Sequence, residues 1–329
     1  MLFFIDTLLG KKYMNECDIS FVVPVYNASL HLEEWKKSLL KVIEPLKNDW
    51  EIILIDDGSI DNSWKIIESW AKDDQRFRAY GLSKNFGQHP AMTLGLELAR
   101  GRIIMTMDDD LQIPHDCIPV FIEKLENDVD IVAGRRRTRN DSLIFRQLPS
   151  LLLNKIMRKI SKVMRNDFGC NNVAYKRWVI EAVMQSREKC RFLPELVGWA
   201  GGRIKEVEVE HRVGPSRYRF SKLIKLNLEL LTNYNLWFIY LWICIIGAVT
   251  LFFGILMCAV TTYAILNFKI GIALLGIFIF VIGLVGTQLN RLLIEIQDRP
   301  LYVVSAGRIQ DSYCDRMSRN KLLGFIPDR

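Results

Sequence analysis

The sequence predicts an α/β fold: a mostly parallel sheet between layers of helices, followed by a membrane-spanning hairpin. Three observations support this prediction. Short apolar runs alternate with amphipathic stretches between residues 19 and 209, the runs are apolar on both faces, and a long block near the C-terminus is almost free of charge. Strands that are apolar on both faces are typical of parallel sheets covered by helices on both sides. The 329 residues are enough for roughly two structural units.

Four apolar runs are predicted to be strands of this sheet. They read ISFVVPVY, EIILIDD, RIIMTMDDD and DIVAG, and they begin at Ile19, Glu51, Arg102 and Asp130. The covering helices are predicted by amphipathic stretches near residues 30–44, 61–72, 88–100 and 115–127. Before the second stretch the candidates for a helix cap are Ser59, Asp61 and Asn62. Gly101 is expected to end the third helix.

Polar side chains follow three of these strands, in the segments 26–27, 56–59 and 108–110. Ligands of such sheets bind beyond the carboxyl ends of the strands. In an extended chain Asp108, Asp110 and Gln112 would share one face, with Asp109 on the other. Two carboxylates and an amide oxygen suit a hard divalent cation that also binds diphosphate oxygens. A solvated acidic turn is the alternative interpretation.

Asp56 and Asp57 form a second acidic pair, at the end of the strand that begins at Glu51. Carboxylates at such a turn can accept hydrogen bonds from ribose hydroxyls or from the edge of a base. Helix capping by Ser59 or Asp61 is the alternative, and both roles are compatible.

Residues 235–289 contain a single charged residue, Lys269. The block divides into the stretches 237–263 and 270–289, each long enough to cross a bilayer as a helix. A buried helical hairpin is the alternative. Both flanks are rich in Lys and Arg, which predicts that the segments on both sides of the block lie in the cytoplasm. Residues 218–234 place apolar side chains on one helical stripe and are predicted to form an amphipathic juxtamembrane helix.

The net charge of +7 is concentrated near this block, because residues 135–165 and 211–225 are dense in Lys and Arg. Nucleic-acid binding is disfavoured, since these segments lack interleaved aromatic residues. Anionic headgroups and a phosphorylated lipid are the favoured partners. The sequence contains neither GxGxxG nor GxxxxGK[ST], so dinucleotide binding and P-loop hydrolysis have no support. Seven scattered cysteines without a CxxC pair indicate reduced thiols.

The motifs PVYN (24–27), IDDGSIDNS (55–63), LSKNFG (82–87), MDDDLQIP (107–114) and AGRRR (133–137) follow one another in the order typical of family 2 glycosyltransferases of the GT-A fold. The chain resembles that family. Further segments, DFGCNNVAYKR (167–177), GPSRYRFSKL (214–223) and IEIQDRPLYVV (294–304), are similar to polyprenyl-phosphate glycosyltransferases such as dolichyl-phosphate mannose synthase and the bactoprenol glucosyltransferases. GQHPA (87–91) is most similar to the undecaprenyl-phosphate formamido-arabinose transferase branch.

The resemblance implies a Rossmann-like GT-A domain at 18–217, between an N-terminal extension at 1–17 and the amphipathic helix at 218–234. Two spans at 235–289 and a cytoplasmic tail at 290–329 would follow. The implied enzyme is an inverting transferase of the bacterial inner membrane that moves a sugar from a UDP-sugar to undecaprenyl phosphate, and a homo-oligomer is expected. Its rivals are a membrane transferase that elongates a polysaccharide and a non-catalytic nucleotide-sugar sensor or subunit.

The resemblance also implies the site residues. The donor nucleotide sugar would contact Pro24, Tyr26, Asn27, Asp56, Asp57, Lys84, Asn85, Gly87, His89, Asp108 and Asp109. A divalent cation, Mg²⁺ or Mn²⁺, would be held by Asp108, Asp110 and Gln112. The lipid phosphate would be bound by Arg135, Arg146, Ser216, Arg217 and Tyr218. Catalysis would depend on Asp110, Asp108, Arg135, Arg146 and Asp167, with Asp167 orienting the acceptor or serving as base.

Three positions depart from the family pattern. Ala28 stands where relatives commonly have Glu, which removes one expected carboxylate contact to the nucleoside. Val173 stands where relatives usually have Arg, which removes one phosphate contact. Arg217 replaces the usual Lys, so the charge is kept but is carried by a planar, forked group.

Overall fold

The computed structural model describes residues 17–126, 129–136, 165–167, 169–186, 193–212, 300–307 and 324–325, with scattered positions between 271 and 297. The chain divides into two units, Met1–Pro215 together with Pro300–Arg329, and Ser216–Arg299. The predicted helix at 218–234 and the predicted span at 237–263 lie outside the described residues, and the span at 270–289 is described only in part. Within the residues that are described, no helix is both long and apolar enough to cross a membrane.

The described part of the first unit is built around a sheet of nine strands. In chain order they are β1 Cys17–Val25, β2 Trp50–Asp56, β3 Phe77–Leu82, β4 Gly101–Thr106, β5 Ile131–Arg136, β6 Val173–Lys176, β7 Ile204–Val209, β8 Val303–Gly307 and β9 Gly324–Phe325. Their order across the sheet is β7-β5-β6-β4-β1-β2-β3-β8-β9. Strand β6 is antiparallel to both of its neighbours, β4 and β5, whereas β8 is antiparallel to β3 and parallel to β9. The other described pairs in this sheet are parallel. The predicted mostly parallel α/β fold is therefore confirmed.

Helices cover both faces of this sheet, as predicted. They are α1 Leu32–Ile43, α2 Ser63–Asp73, α3 Gln88–Leu98, α4 Ile118–Glu126, α5 Arg177–Met184 and α6 Leu193–Ala200, with a short 3-10 turn at His115–Cys117. Successive strand residues alternate between two cores. In β1, Phe21 packs in the core beneath α1, α2 and α4, whereas Val22 packs in the core beneath α3, α5 and α6. The strands are apolar on both faces because both faces are covered.

The sequence predicts two helix ends imperfectly. Of the three cap candidates before α2, Asp61 supplies the cap: its Oδ1 accepts hydrogen bonds from Ser63 N at 2.9 Å and Ser63 Oγ at 2.5 Å. Asn62 makes no capping bond with its side chain. The expectation that Gly101 ends α3 is wrong, because the helix ends at Leu98 and Gly101 begins β4. A side chain at Gly101 would lie 2.5 Å from Ser20 N, so strand pairing requires glycine here.

Residues that follow the uncharged block return to the same sheet as the residues that precede it. β8 pairs with β3, and Ser83 N donates to Val303 O at 2.9 Å. The buried Tyr302 donates its hydroxyl to Glu97 Oε2 of α3 at 2.6 Å. Chain segments on both sides of the block therefore belong to one folded unit.

Candidate functional site

The turns after β1 and β2 are bonded to each other at the carboxyl edge of the sheet. Asn27, with a positive φ of 50°, donates its N–H to Ser59 Oγ at 3.0 Å, and its Oδ1 accepts from Ile60 N at 3.0 Å. Next to it, Ala28 N donates to Ser63 Oγ at 2.8 Å. The polar ends of β1 and β2 therefore meet at this edge. Tyr26 remains more than a third exposed at this edge, at 38%.

Asp56 and Asp57 are both buried, yet their carboxylates have different surroundings. Asp56 Oδ2 accepts from Ser59 N at 3.0 Å, whereas its buried Oδ1 has no hydrogen-bond partner within the described part of the chain. Burial raises the pKa of Asp56. Such an open acceptor is an expected feature of a polar ligand site, because a buried oxygen without a donor is costly unless a ligand supplies one.

Asp57, in contrast, has both oxygens engaged by the backbone of the next loop. Phe86 N donates to its Oδ1 at 2.7 Å and Gly87 N donates to its Oδ2 at 2.9 Å. Burial raises the pKa of Asp57 to about 6, against the effect of these two bonds. Gly58 allows the loop to approach, because a Cβ there would lie 2.4 Å from the carbonyl carbon of Lys84. The Asp57 side chain thus fixes the loop that leads into α3.

The segment 84–89 lies beside these turns. Lys84 and Asn85 are exposed, and Gly87, with φ of 101°, precedes α3. Gln88, the first residue of α3, donates Nε2 to Asp108 Oδ1 at 2.7 Å. Burial lowers the pKa of His89 to about 4, so its imidazole is neutral at pH 7.

The acidic loop after β4 is not extended, so the backbone on which the predicted alternation depended is wrong. The grouping of Asp108, Asp110 and Gln112 itself stays a prediction. β4 ends at Thr106, and the chain bends over residues 109–112. Buried Asp109 points back to the first turn, where its Oδ2 accepts from Tyr26 N at 3.2 Å. Asp110 Oδ1 accepts from Gln112 N at 3.3 Å.

Asp108 lies at the centre of this loop's contacts. Its Oδ1 accepts a second hydrogen bond, from Asn171 Nδ2 at 3.1 Å. The pKa of Asp108 is raised to about 7, mainly by burial and then by the negative charges of Asp110 and Asp109. The Asp108 and Asp110 carboxylates are thus close enough to repel each other. This arrangement can stabilise a cation.

At the end of β5 the two neighbouring arginines have different partners. Arg135 forms an exposed ion pair with Glu208 of β7. Arg136 Nε and Nη2 donate to the two carboxylate oxygens of Asp167, each at 2.7 Å. Burial disfavours the charged guanidinium of Arg136, but the Asp167 bonds outweigh it and raise the pKa, and the nearby Asp108 adds to this.

Sequence reasoning missed Arg136, Gln88 and Asn171 as neighbours of the acidic loop. The available signal for Arg136 was alternation in β5, because two adjacent arginines of a strand point to opposite faces. No sequence spacing could have found Asn171, which lies 63 residues from its partner Asp108. Arg146, Ser216, Arg217 and Tyr218 lie outside the described residues.

Two of the three departures from the family pattern can be located. Ala28 is fully buried against α1, so position 28 contributes only packing and its backbone N–H. Val173 is buried in β6, where its carbonyl accepts from Thr106 Oγ1 at 3.3 Å. Neither position offers a polar side chain to a ligand.

Within the described residues no three His, Cys, Asp or Glu side chains lie together as a metal site. Two carboxylates, Asp108 and Asp110, remain as acidic donors, with Gln112 in the same loop. The Gln112 carbonyl also accepts a hydrogen bond from Arg212 N, shortly after β7, at 2.8 Å.

A comparison with protein families identifies the class. The model of Glycosyl transferase family 2 matches residues 20–182. The undecaprenyl-phosphate 4-deoxy-4-formamido-L-arabinose transferase of Shewanella sediminis is 35% identical over 311 residues, covering 89% of this chain and 93% of that protein. The transferase of the same name from Proteus mirabilis is 34% identical and covers 87% and 92%. The chain belongs to glycosyl transferase family 2 and is a glycosyltransferase. Its relatives along most of its length are these undecaprenyl-phosphate transferases.

Solved structures with a similar chain trace are more distant. Mannosyl-3-phosphoglycerate synthase from Rubrobacter xylanophilus aligns with a TM-score of 0.48 at 13% identity, over 65% of this chain and 72% of that one. Glucosyl-3-phosphoglycerate synthase from Mycobacterium tuberculosis, in complex with Mn²⁺, UDP and glucosyl-3-phosphoglycerate, aligns with a TM-score of 0.46 at 17% identity, over 66% and 80%.

Proposed function

We propose that this glycosyltransferase moves a sugar from a UDP-sugar to undecaprenyl phosphate and inverts the anomeric configuration. One observation carries the proposal: the open acceptor of Asp56 and the acidic pair Asp108 and Asp110 lie at the same edge of the sheet. A nucleoside diphosphate sugar needs both features, an acceptor for its nucleoside and a charge-compensating site for its diphosphate. The names of the relatives supply the acceptor, undecaprenyl phosphate.

The donor nucleoside is assigned to the turns after β1 and β2. Asp56 Oδ1 would accept a hydrogen bond from a base N–H or a ribose hydroxyl, and the half-exposed Tyr26 ring offers a stacking surface. Asp57 would act indirectly, because its oxygens already hold the loop at Phe86 and Gly87. The remaining donor contacts are proposed at Pro24, Asn27, Lys84, Asn85, His89 and Asp109.

The acidic loop fits a divalent cation by its chemistry. Asp108, Asp110 and Gln112 offer only oxygen donors, and Mg²⁺ is usually bound through one or two carboxylates together with substrate phosphates. The mutual repulsion of Asp108 and Asp110 would be relieved by positive charge. A bound Mg²⁺ or Mn²⁺ would supply neutralisation of the charge that develops on the leaving diphosphate.

In the proposed reaction an oxygen of the lipid phosphate forms a bond to the anomeric carbon. The bond from that carbon to the diphosphate oxygen breaks, and the nucleoside diphosphate leaves with both bonding electrons. A phosphate monoester has a second pKa near 6, so at neutral pH it attacks without giving a proton to a base. Asp167 is therefore assigned to orienting Arg136, with which it shares two hydrogen bonds. Arg136 is thereby pre-organised to bind phosphate oxygens near Asp108.

The acceptor phosphate is further assigned to Arg135, Arg146, Ser216, Arg217 and Tyr218. The support for this assignment is the similarity of the segment GPSRYRFSKL (214–223) to polyprenyl-phosphate glycosyltransferases. The proposal includes two spans within 235–289 in the bacterial inner membrane, a cytoplasmic catalytic unit and assembly as a homo-oligomer. The charge pattern of the sequence supports the two spans and the cytoplasmic side. The homo-oligomer rests on the resemblance to polyprenyl-phosphate glycosyltransferases.

The test is transfer of radiolabel from a panel of UDP-sugars to undecaprenyl phosphate, followed by extraction of the lipid. We expect label in the lipid fraction with the wild-type enzyme and a loss of at least about 100-fold in Asp110→Ala. Asp116→Ala, which removes an exposed carboxylate nearby, is the matched control. Binding of UDP-sugar without transfer would favour the sensor, and label in a polymer would favour polysaccharide elongation. Retained transfer by Asp110→Ala with metal chelated would exclude the mechanism.

A further inference from the structure

The two oxygens of the Asp108 carboxylate are not equivalent. Oδ1 accepts two hydrogen bonds from amide groups, from Gln88 Nε2 at 2.7 Å and from Asn171 Nδ2 at 3.1 Å. Oδ2 has only a longer contact of 3.4 Å with the same Asn171 amide. An ionised carboxylate oxygen has about two lone-pair sites. The two donors therefore occupy Oδ1 and leave Oδ2 as the oxygen with capacity for another ligand.

We propose that Gln88 and Asn171 are positioning residues that fix Asp108 so that it offers one oxygen, Oδ2, to the divalent cation. This inference rests on the proposed function, since it assumes that the acidic loop binds a cation. Both side chains contact Asp108 through their amide NH2 groups, so they would act on the cation through the Asp108 carboxylate. Partners that hold a metal-binding carboxylate in one orientation commonly account for 10–100-fold in metal affinity.

The two amides can act in this way because each comes from a fixed backbone. Gln88 follows directly on the loop whose Phe86 and Gly87 N–H groups are held by Asp57. The Asn171 carbonyl accepts from Thr106 Oγ1 at 2.7 Å, which ties it to the end of β4. The position of Gln88 is therefore set by the proposed nucleoside-binding turn, and the position of Asn171 is set by the strand that precedes the acidic loop.

This arrangement links the two halves of the donor site. Asp57 adjoins Asp56, the proposed nucleoside acceptor, and through the 86–87 backbone it fixes the start of α3. The first residue of α3, Gln88, in turn holds the Asp108 carboxylate through one hydrogen bond. Such pre-organisation removes the need to reorient the carboxylate when the donor binds.

The experiment compares the full-length protein with Gln88→Leu and Asn171→Leu, which remove the amide donor at similar volume. Gln75→Leu, at an exposed position outside the site, is the matched control. The probes are Mn²⁺ alone, followed by electron paramagnetic resonance and calorimetry, and UDP in the presence of EDTA. We expect each site variant to bind Mn²⁺ about tenfold more weakly, with UDP binding in EDTA unchanged. The control should bind Mn²⁺ as the wild type does.

A general loss of structure would instead weaken Mn²⁺ and UDP binding together, and that result would overturn the inference. Unchanged Mn²⁺ affinity in both variants would also overturn the inference. If the sugar preference changed at the same time, the role of Gln88 would be contact with the donor sugar. In that case lipid transfer by the wild type would leave the proposed function intact. Conversely, the expected Mn²⁺ losses in a protein that transfers no sugar to lipid phosphate would uphold the inference and reject the function.

Discussion

The two edges of the parallel sheet bury carboxylates in opposite circumstances. At the amino edge, Glu51 accepts hydrogen bonds from Ser20 Oγ at 2.6 Å, Arg100 N at 2.7 Å and Arg78 Nη1 at 2.8 Å. At the carboxyl edge, Asp108 lies beside the like charge of Asp110, and its pKa is raised to about 7. Glu51 is paired with Arg78 and with hydrogen-bond donors, so its buried charge stabilises the fold. Asp108 and Asp110 repel each other, so the fold must hold them together, and a bound cation would stabilise them.

The amino edge also holds the helix that serves the other edge. Arg78 donates to Leu98 O at 3.0 Å, and Arg177 donates to Ala99 O at 3.0 Å and Gly101 O at 2.6 Å. These bonds fix the C-terminal end of α3. Its N-terminal end presents Gln88 to Asp108 at the opposite edge. Satisfied charges at one end of α3 thus contribute to the geometry at the other.

The largest expected effect is that of Glu51→Leu, which tests whether the buried charge at the amino edge stabilises the fold. Arg78 is mostly buried and would keep its charge without a carboxylate partner. We expect the free energy of unfolding to fall by about 3–5 kcal/mol. Equilibrium urea unfolding measures it, with Glu68→Leu in an exposed ion pair as control. A loss below about 1 kcal/mol would mean that the amino edge is no more structural than the surface.

The pH dependence of stability sharpens the comparison at the carboxyl edge. The pKa of Asp57 is about 6 in the folded chain against an ordinary 3.8, so the folded state binds this proton more tightly. Its contribution to stability is complete below pH 3.8 and is lost as the pH rises through 6. We expect a loss of about 2–3 kcal/mol across that range. Urea unfolding in EDTA between pH 4 and 7 gives the unfolding free energy as a function of pH. This free energy should change less with pH in Asp57→Asn than in the wild type. An equal pH dependence in the two proteins would contradict the raised pKa of Asp57.

Asp56→Asn should affect ligand binding with little effect on stability. The substitution removes the buried charge but keeps an oxygen that can accept from Ser59 N. We expect about tenfold weaker UDP binding by calorimetry, because an amide NH2, which donates, would then replace the open acceptor Oδ1. Unfolding of the variant should match the wild type. A large loss of stability would place Asp56 with Glu51 among the structural charges.

Lys72→Gln gives the baseline for both edges. Lys72 pairs with Glu68 one helical turn away, and both side chains are exposed. We expect a change in unfolding free energy of at most about 0.5 kcal/mol and no change in UDP binding. A larger change would show that exposed ion pairs also contribute substantially to the unfolding free energy. The effects at the two edges could then not be told apart from those of surface charges.

Local pattern predicted those parts of the fold in which each strand is apolar by itself. β1, β2, β4 and β5 are such strands. β3 carries Arg78, and β7 contains Lys205, Glu206 and Glu208, so neither strand is a continuous apolar run. β8 lies beyond the uncharged block, and its pairing with β3 depends on contacts across more than 200 residues.

The site was predicted in composition better than in geometry. The acidic motifs followed from the position of polar residues at strand ends. The bend after Thr106 did not, because the long-range bond from Tyr26 N to Asp109 overrides the local preference for an extended chain. The choice between Arg135 and Arg136 likewise depends on which face of β5 meets Asp167. The spacing of residues along the sequence does not predict which distant residues become partners in the folded chain.

The return of the chain to the sheet sets how this enzyme can be divided. A fragment that stopped at Arg212 would lose β8 and leave Gly81 and Leu82 on an open edge strand, which is a template for aggregation. It would also lose the Tyr302 hydroxyl that bonds Glu97 of α3. A minimal folded fragment must therefore be made by excision, joining residue 212 to residue 300 through a linker. The uncharged block is an insertion within one folding unit, so that unit is complete only after residue 300 has been synthesised.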